Sequence, residues 1–268
     1  MKQVLSIQDL SCLGKCSLSV AMPVLSAMGC TCTPLPTALL STHTAFPNPH
    51  VRSLTEDMEK ICVHWQSIGA SFDAVTVGYL SDAAQAEAVE KALDRFRAPV
   101  ILDPAMGDHG KLYSGLDVSH VDTMKRLCRK ADVLLPNVTE AALLTGTPYE
   151  ETTNPEHYRT LLTRLQALGP KAVVLTGVSL EESKTGFMGI APDSSIFTYQ
   201  TDKLASCHGT GDLFAAVFAG MFVKGRSLAD CAAPAAAFVE KVLSSTKEPA
   251  PFGASFETQL PWLWEQLL

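Results

Sequence analysis

The sequence predicts an α/β fold with a doubly wound, mainly parallel sheet flanked by helices and an antiparallel hairpin at one edge. Four short apolar runs end in polar or glycine residues, as buried strands do: residues 72–80, 98–104, 131–137 and 171–177. Helical stretches lie between these runs, and this alternation favours parallel pairing with helices on both faces. Residues 185–200, "TGFMGIAPDSSIFTYQ", instead hold two apolar runs around a Pro-Asp-Ser turn. That pattern indicates the hairpin.

The N-terminal part of the chain has the same rhythm. Residues 3–7, "QVLSI", predict a strand, and residues 15–29 predict a helix that stops at a glycine. Residues 31–37, "TCTPLPT", predict a second strand whose prolines imply irregular pairing. Residues 53–69 predict a helix. One face of this helix carries Leu54, Met58, Ile61 and Trp65.

Composition limits the classes of partner. The 268 residues are 47% hydrophobic, contain no repeat or linker, and are therefore expected to form one domain, 1–268. Charged residues make up 18% and the net charge is −7. Because no Lys/Arg cluster could replace counterions on a polyanion, we expect neither nucleic acid nor an anionic membrane as a partner.

The N-terminal sequence and the cysteines indicate a cytoplasmic protein. "MKQVLSIQDL" lacks the pattern of a secretory signal, and no apolar run reaches the length of a membrane span. The eight cysteines are accordingly expected to be reduced thiols, since their spacing matches no paired zinc knuckles.

Several polar residues stand where the predicted strands end. Ligands of doubly wound folds bind at the carboxyl ends of the strands, so these residues should line one rim of the sheet. They are Gln8, Asp9, Gly78, Tyr79, Asp103, Asn137, Thr176 and Gly177.

The segment 207–222, "CHGTGDLFAAVFAGMF", places one acid at the start of a strongly apolar helix. A turn formed by Gly209, Thr210 and Gly211 leaves backbone N–H groups unpaired, and together with the helix dipole they form an anion site. Asp212 could accept a proton from a hydroxyl group held beside that site. The same local sequence is explained equally well if Asp212 is an ordinary helix N-cap.

Six segments, in order over residues 4 to about 245, give the chain a family resemblance. "GTGDLFAA" resembles the catalytic signature of the ribokinase superfamily. The others are similar to segments of the pyridoxal/pyridoxamine kinases in its vitamin-kinase branch: "VLSIQDLSCLGKCS", "LSTHT", "VTVGYL", "ILDPAMGDHGKLY" and "ADVLLPNVTEAALLTG". The resemblance implies a ribokinase-like fold and ATP-dependent phosphorylation of the 5′-hydroxymethyl group of a B6 vitamer.

The resemblance also implies roles for residues at the helix start. Asp212 would be the general base, and the N–H groups of Gly209, Thr210, Gly211 and Asp212 would form the anion hole for the transferring phosphoryl group.

For the nucleotide and its ion, the resemblance implies that Asp103 and Glu140 organise Mg²⁺ beside the triphosphate. The residues alone leave a structural explanation open for each position. Asp103 could be a turn residue before a proline, and Glu140 could be an acid favoured by the helix dipole. Asn137 and Thr176 would line the ATP groove. Tyr113 belongs to a polar segment, 107–115, that would form a mobile cover over the phosphates.

For the vitamer, the resemblance implies contacts from Asp9, His43, Thr44 and Tyr79. Many pyridoxal kinases have Ser at the position of Asp9, and an acid there would favour pyridoxamine, whose aminomethyl group can carry a positive charge. A requirement for a monovalent cation and the order of preference among the vitamers stay open. The family resemblance also implies a homodimer.

Two other functions remain. A hydroxymethylpyrimidine (phosphate) kinase of thiamine biosynthesis would share the fold, the base and the anion hole. Gln8 and "THT" at 42–44 favour the B6 branch, because thiamine-branch chains usually open with Ala-Gly-Ser-Asp. A non-catalytic vitamin- or nucleotide-binding protein is disfavoured by the intact Asp212.

Overall fold

A large sheet organises the molecule, whose computed structural model describes residues 1–205, 207–247 and 250–267. The strands are β1 (Lys2–Leu13), β2 (Cys30–Thr42), β3 (Val51–Ser53), β4 (Ala74–Val77), β5 (Val100–Leu102), β6 (Gly107–Asp108), β7 (Lys111–Leu112), β8 (Val133–Leu134), β9 (Ala172–Val178), β10 (Lys184–Ile190) and β11 (Ile196–Asp202). The helices are α1 (Leu18–Ala27), α2 (Thr55–Ser67), α3 (Ala83–Phe96), α4 (Val118–Cys128), α5 (Val138–Thr145), α6 (Pro155–Gln166), α7 (Thr210–Phe222), α8 (Leu228–Ser245) and α9 (Leu260–Glu265), the last preceded by a 3-10 turn, Glu257–Gln259.

Nine of these strands form the main sheet in the order β11-β10-β9-β8-β5-β4-β1-β2-β3. The six from β9 to β2 are parallel. β10 and β11 run antiparallel at one edge, which confirms the predicted hairpin and the doubly wound class. The sequence pattern did not predict the short strand β3, which pairs antiparallel with β2 at the opposite edge.

Two apolar clusters show that both faces of the sheet are covered. Alternate residues along each strand point to opposite faces, so Leu5 and Ile7 pack with α2 to α6, whereas Val4 packs with α1, α7, α8 and α9. Phe218 of α7 is fully buried in the second cluster. Truncating such a phenylalanine typically costs about 3–5 kcal/mol, so α7 and its first turn are held firmly against the sheet.

The first two strands are longer than predicted, and the first helix starts later, at Leu18 rather than Lys15. β1 and β2 pair from Lys2↔Cys30 to Leu13↔Thr42, with a shift in register between Gln8 and Leu10. The prolines of β2 lie where its second edge is unpaired, since β3 pairs only with residues 38–40. They therefore remove no bond from that edge.

Seven of the cysteines are free thiols, in agreement with the expectation of a reduced protein: Cys12, Cys16, Cys30, Cys32, Cys62, Cys128 and Cys231. Among the residues described, none of the helices is both long enough and apolar enough to span a bilayer.

Candidate functional site

The predicted rim exists at the carboxyl ends of the parallel strands. Tyr79 follows β4, Asp103 follows β5, Asn137 follows β8 and Thr176 lies near the end of β9. Asn137 and Thr176 are joined by an isolated parallel bridge, in which the N–H of Thr176 donates to the carbonyl of Pro136 at 2.8 Å. The sheet therefore brings these residues to one edge, as the strand-end pattern predicts.

Asp212 lies in the first turn of α7, but it is not the N-cap. Gly209 occupies the cap with a φ of 84°, and its carbonyl accepts the first intrahelical bond, from Leu213. A Cβ on Gly209 would overlap the Lys15 carbonyl oxygen, so only glycine fits there. Capping thus does not account for Asp212. The N–H groups of the residues from Thr210 to Asp212 lie in the part of the helix that has no carbonyl one turn earlier.

Burial raises the pKa of the Asp212 carboxyl to about 7. The negative charge of Asp9 adds to this rise, while the nearby backbone N–H of Ser17 opposes it. An aspartate that titrates near neutral pH can take a proton from an alcohol and release it again, which is the requirement for a general base.

Asp9 lies in the β1 bulge and is 4% exposed. Both of its carboxylate oxygens accept from serines: the Ser17 hydroxyl donates to Oδ1 at 2.5 Å and the Ser11 hydroxyl to Oδ2 at 2.9 Å. Burial raises the pKa of Asp9 in spite of these bonds. Neither serine was predicted as part of the site, and Ser17 precedes an apolar helix, where it looks like an ordinary N-cap.

Asp103, which is half-buried, and Glu140, which is buried, form a pair of acids with different surroundings. Glu140 closes a capping box with Asn137: its N–H donates to Asn137 Oδ1 at 2.9 Å, and its Oε2 accepts from the Asn137 N–H at 2.8 Å. Its Oε1 accepts from the Met106 N–H at 3.1 Å. The side chain of Asp103 accepts no hydrogen bond from the described residues. Its pKa is raised well above the usual value by burial and by the charges of Glu140 and Asp212.

This pair tests whether the rim could hold a divalent cation. Within residues 1–205, 207–247 and 250–267, no three His, Cys, Asp or Glu side chains make a complete protein site for a metal. Mg²⁺ needs only one or two carboxylates when water and phosphates supply its other ligands. An unpaired carboxylate crowded by two further acids, as at Asp103, is stabilised by a nearby cation, so the residues fit the ion.

Tyr113 reaches the same group of acids. Burial raises its pKa, and the charges of Glu140 and Asp103 contribute. The segment before Tyr113, which the sequence predicts as a mobile cover, contains the hairpin β6–β7. The central turn residues, His109 and Gly110, both have positive φ, as a type I′ turn requires.

The hairpin β6–β7 is attached to α5 by two hydrogen bonds. The N–H of Gly110 donates to Thr139 Oγ1 at 2.9 Å. The side-chain amide of Asn137 donates to the Gly107 carbonyl at 2.9 Å. The predicted cover over the phosphates is therefore a docked hairpin beside the acid pair.

His43 and Thr44 directly follow β2 in the chain. His43 is buried, and its Nε2 lies 2.9 Å from the Pro251 carbonyl oxygen. Its ring packs against that of His208 in a tilted arrangement, with 4.5 Å between centroids. Thr44 is half-buried. Burial raises the pKa of the half-buried Tyr79, and the charge of Asp9 adds to it. The link from His43 to Pro251 joins the segment after β2 to a segment that follows α8, and no local pattern could have predicted it.

Comparisons with known proteins identify relatives of this chain. A model of the phosphomethylpyrimidine kinase family matches residues 22–255. The pyridoxine/pyridoxal/pyridoxamine kinase of Bordetella avium is 30% identical over 258 residues, covering 91% of this chain and 85% of the relative.

Two crystal structures are similar over nearly the whole chain. Pyridoxal kinase from Lactobacillus plantarum has a TM-score of 0.91 at 33% identity and covers 99% of this chain and 97% of its own. A Bacteroides thetaiotaomicron protein, described as a phosphomethylpyrimidine kinase and crystallised with pyridoxal, has a TM-score of 0.93 at 32% identity. That match covers 98% of this chain and 96% of the Bacteroides chain.

Proposed function

Because the chain belongs to the phosphomethylpyrimidine kinase family, within the ribokinase superfamily, we propose that it is a pyridoxal kinase. It transfers the γ-phosphoryl group of ATP to the 5′-hydroxymethyl group of pyridoxamine, pyridoxal or pyridoxine. One observation carries the proposal: Asp212, with a pKa of about 7, stands in the first turn of α7 beside backbone N–H groups that can bind an anion. Such an arrangement serves the phosphorylation of an alcohol.

The chemistry divides between the base and the helix start. Asp212 accepts the proton of the 5′-hydroxyl group. The oxygen of that hydroxyl bonds to the γ-phosphorus, while the bond between the γ-phosphorus and the β,γ-bridging oxygen breaks. The N–H groups of Gly209, Thr210, Gly211 and Asp212 stabilise the charge on the γ-phosphoryl oxygens. Losing one donor of this kind typically costs about 3 kcal/mol of transition-state stabilisation.

Asp103 and Glu140 would hold Mg²⁺ and its waters. Bound there, the ion would neutralise charge on the phosphate oxygens. Asp103 is the better direct ligand, because its side chain has no hydrogen-bond donor from the described residues, whereas the Glu140 carboxylate already accepts backbone bonds. Asn137 and Thr176 would border the nucleotide, and Tyr113 on the docked hairpin would close the phosphate end.

Asp9, His43, Thr44 and Tyr79 would surround the vitamer ring. A homodimer, a single domain over 1–268 and a cytoplasmic location complete the proposal. The free cysteines support the cytoplasmic location, and the family supports the homodimer. A requirement for a monovalent cation, besides ATP and Mg²⁺, stays open.

The alternative substrate is hydroxymethylpyrimidine or its phosphate, and the name of the family model favours it. Its support is weaker, because two of the three relatives above are named as B6 kinases and the third was crystallised with pyridoxal. A binding protein without activity is weaker still, because Asp212 and its surroundings are intact.

The test is an ATP- and Mg²⁺-dependent assay with pyridoxamine, pyridoxal, pyridoxine and hydroxymethylpyrimidine, run on the wild type and Asp212→Ala. We expect turnover of a B6 vitamer that is lost in the variant. Turnover of the pyrimidine alone would assign the chain to thiamine metabolism. Absence of turnover with all four compounds would refute the proposed kinase activity on these substrates.

A further inference from the structure

The segment 251–254, which follows α8, lies against the backbone that leads into α7. The N–H of Ala254 donates to the carbonyl of His208 at 3.3 Å. A Cβ on Gly253 would stand 3.0 Å from the same carbonyl oxygen, so the two backbones are in close contact. His208 directly precedes Gly209, the N-cap of α7 and the first residue of the proposed anion hole. The position of segment 251–254 therefore affects the position of the anion hole.

Lys15, in the turn after β1, contacts both sides of this junction with its backbone. Its N–H donates to the carbonyl of Phe252 at 2.7 Å. Its carbonyl oxygen packs against Gly209 and also against Gly253, where a Cβ would approach it to 2.9 Å. Segment 251–254 and Lys15 thus enclose the start of α7 together.

His43 holds the first residue of the segment. Its Nε2 lies 2.9 Å from the Pro251 carbonyl oxygen. A carbonyl oxygen only accepts, so Nε2 carries the proton and donates it. The other ring nitrogen, Nδ1, accepts from the N–H of Ala45 at 3.4 Å. Both nitrogens are therefore bonded to backbone groups, which leaves neither free for a hydrogen bond to the vitamer.

Ring contacts accompany this bond. The His43 ring packs against His208, with 4.5 Å between centroids, and against Phe46, with 4.8 Å. Phe46 in turn stacks on Phe252 at 5.4 Å. The segment after β2 is thereby joined to segment 251–254 by a polar contact and an aromatic one.

We propose that His43 is a positioning residue: its Nε2–H holds segment 251–254, which keeps the backbone of His208 and Gly209 in the conformation that the anion hole requires. The inference rests on the proposed function for the task assigned to the anion hole. Around the vitamer, His43 then contributes the body of its ring and no polar bond.

Two substitutions of His43 separate the bond from the ring. His43→Gln keeps an N–H donor for the Pro251 carbonyl and removes the ring. His43→Phe keeps a ring against His208 and removes the donor. His50→Gln is the control, because His50 is an exposed histidine of the same connection between β2 and β3, and its ring bonds none of the described residues.

The split between kcat and KM distinguishes positioning from packing. His43→Phe should lower kcat about tenfold or more, by a similar factor for each vitamer, because displaced anion-hole donors lose transition-state stabilisation. Its KM for the vitamer should change little. His43→Gln should keep kcat within about threefold of the wild type and raise that KM, since the ring is lost. Equal losses of kcat in the two variants, or a larger loss in His43→Gln, would overturn the proposal.

Gly253→Ala disturbs the segment from the side of Lys15 and His208, without changing His43. It should also lower kcat about tenfold or more. The double variant with His43→Phe should be at most about threefold slower than the slower single variant, because both changes act through one segment. Gly225→Ala is the control for backbone strain: its φ is 78°, and a Cβ there meets no atom within 4 Å. Losses that multiply in the double variant would show that His43 acts elsewhere.

Hydrogen exchange tests the link without turnover. In His43→Phe, the amides of Lys15 and Ala254, which donate across the junction, should exchange about tenfold faster or more. The amide of Val75, which donates to the Pro99 carbonyl within the sheet, reports global opening and should not change. His50→Gln should alter none of the three. If the wild type phosphorylates no compound, the proposed function fails, and this comparison still decides whether His43 holds the segment. Unchanged exchange at Lys15 and Ala254, or equal acceleration at Val75, would overturn the proposal.

Discussion

The carboxylate of Asp9, in β1, adds to the rise of the pKa of the Asp212 carboxyl, in α7. The acids come from opposite ends of the chain, β1 and α7. Burial is the main reason that the pKa of Asp212 rises to about 7, and the charge of Asp9 raises it further. This relationship has consequences for activity and for stability.

The rate should depend on pH through Asp212. Its carboxylate must be ionised to accept a proton, so kcat/KM should fall about tenfold per pH unit below about 7. Asp212→Asn should lower kcat by about 10²–10⁴-fold, since the amide is no base. Profiles recorded with pyridoxine and with pyridoxamine should share this limb, because it belongs to the free enzyme. An acid limb that differs between the vitamers would instead assign it to the substrates.

The same substitution should stabilise the fold above neutral pH. The folded-state pKa of Asp212, about 7, lies above the ~3.9 of an unfolded aspartate, so the folded chain keeps a proton that the unfolded chain has lost. The stability that this proton contributes is present at low pH and is lost as the pH rises through about 7. The amide of the Asp212→Asn variant does not titrate, so the variant avoids the loss. The difference in unfolding free energy between the variant and the wild type should therefore rise by at least about 1 kcal/mol from pH 5 to pH 8, in favour of the variant. A gain that does not vary with pH would contradict this origin.

Asp103 and Glu140 should respond in opposite ways to neutralisation of their carboxylates. Glu140→Gln weakens a buried capping box and should cost about 1–3 kcal/mol of unfolding free energy. Asp103→Asn removes a crowded carboxylate that accepts no bond from the described residues, so it should leave stability unchanged or improved. Its effect should instead be an increase of about tenfold or more in the Mg²⁺ concentration for half-maximal rate. Denaturant unfolding and a Mg²⁺ titration of the rate measure both. A Mg²⁺ requirement that rises in Glu140→Gln alone would reverse the assignment.

Sequence patterns predicted those parts of the site that local rules determine. Asp103 and Asn137 follow buried strands, and parallel strands bring such positions to one edge whatever their separation in sequence. The contact between His43 and Pro251 joins residues 208 positions apart, and no periodicity encodes it. Ser17 was missed because its neighbours indicate a helix start, whereas its hydroxyl bonds to Asp9 in β1. The hairpin at His109 and Gly110 had a usable signal, since a polar residue followed by glycine is typical of a type I′ turn.

Asp9 should influence the choice among vitamers. Its carboxylate is held by two serine hydroxyls, so its position is fixed and its charge is partly stabilised. A fixed acid beside the ring should favour the cationic aminomethyl group of pyridoxamine. In Asp9→Ser, the ratio of kcat/KM for pyridoxamine to that for pyridoxal should fall several-fold. Ser11→Ala, which leaves the acid in place, should change the ratio less. An unchanged ratio in Asp9→Ser rejects a role in vitamer preference.

The docked hairpin β6–β7 should govern use of the nucleotide. At Gly110, with a φ of 74°, a Cβ would stand 2.8 Å from the Tyr149 ring, so Gly110→Ala should displace the turn from Tyr149 and from its bond to Thr139. Tyr113 would move with it, and the KM of ATP should rise by about fivefold or more while the KM of the vitamer changes little. Gly115→Ala is the control: its φ of 89° carries similar strain, but a Cβ there meets no atom within 4 Å. Each substitution should cost about 1–2 kcal/mol of stability through the backbone. Only Gly110→Ala should change the KM of ATP, and an equal rise in both variants would mean that strain, and not the docking of the hairpin, is responsible.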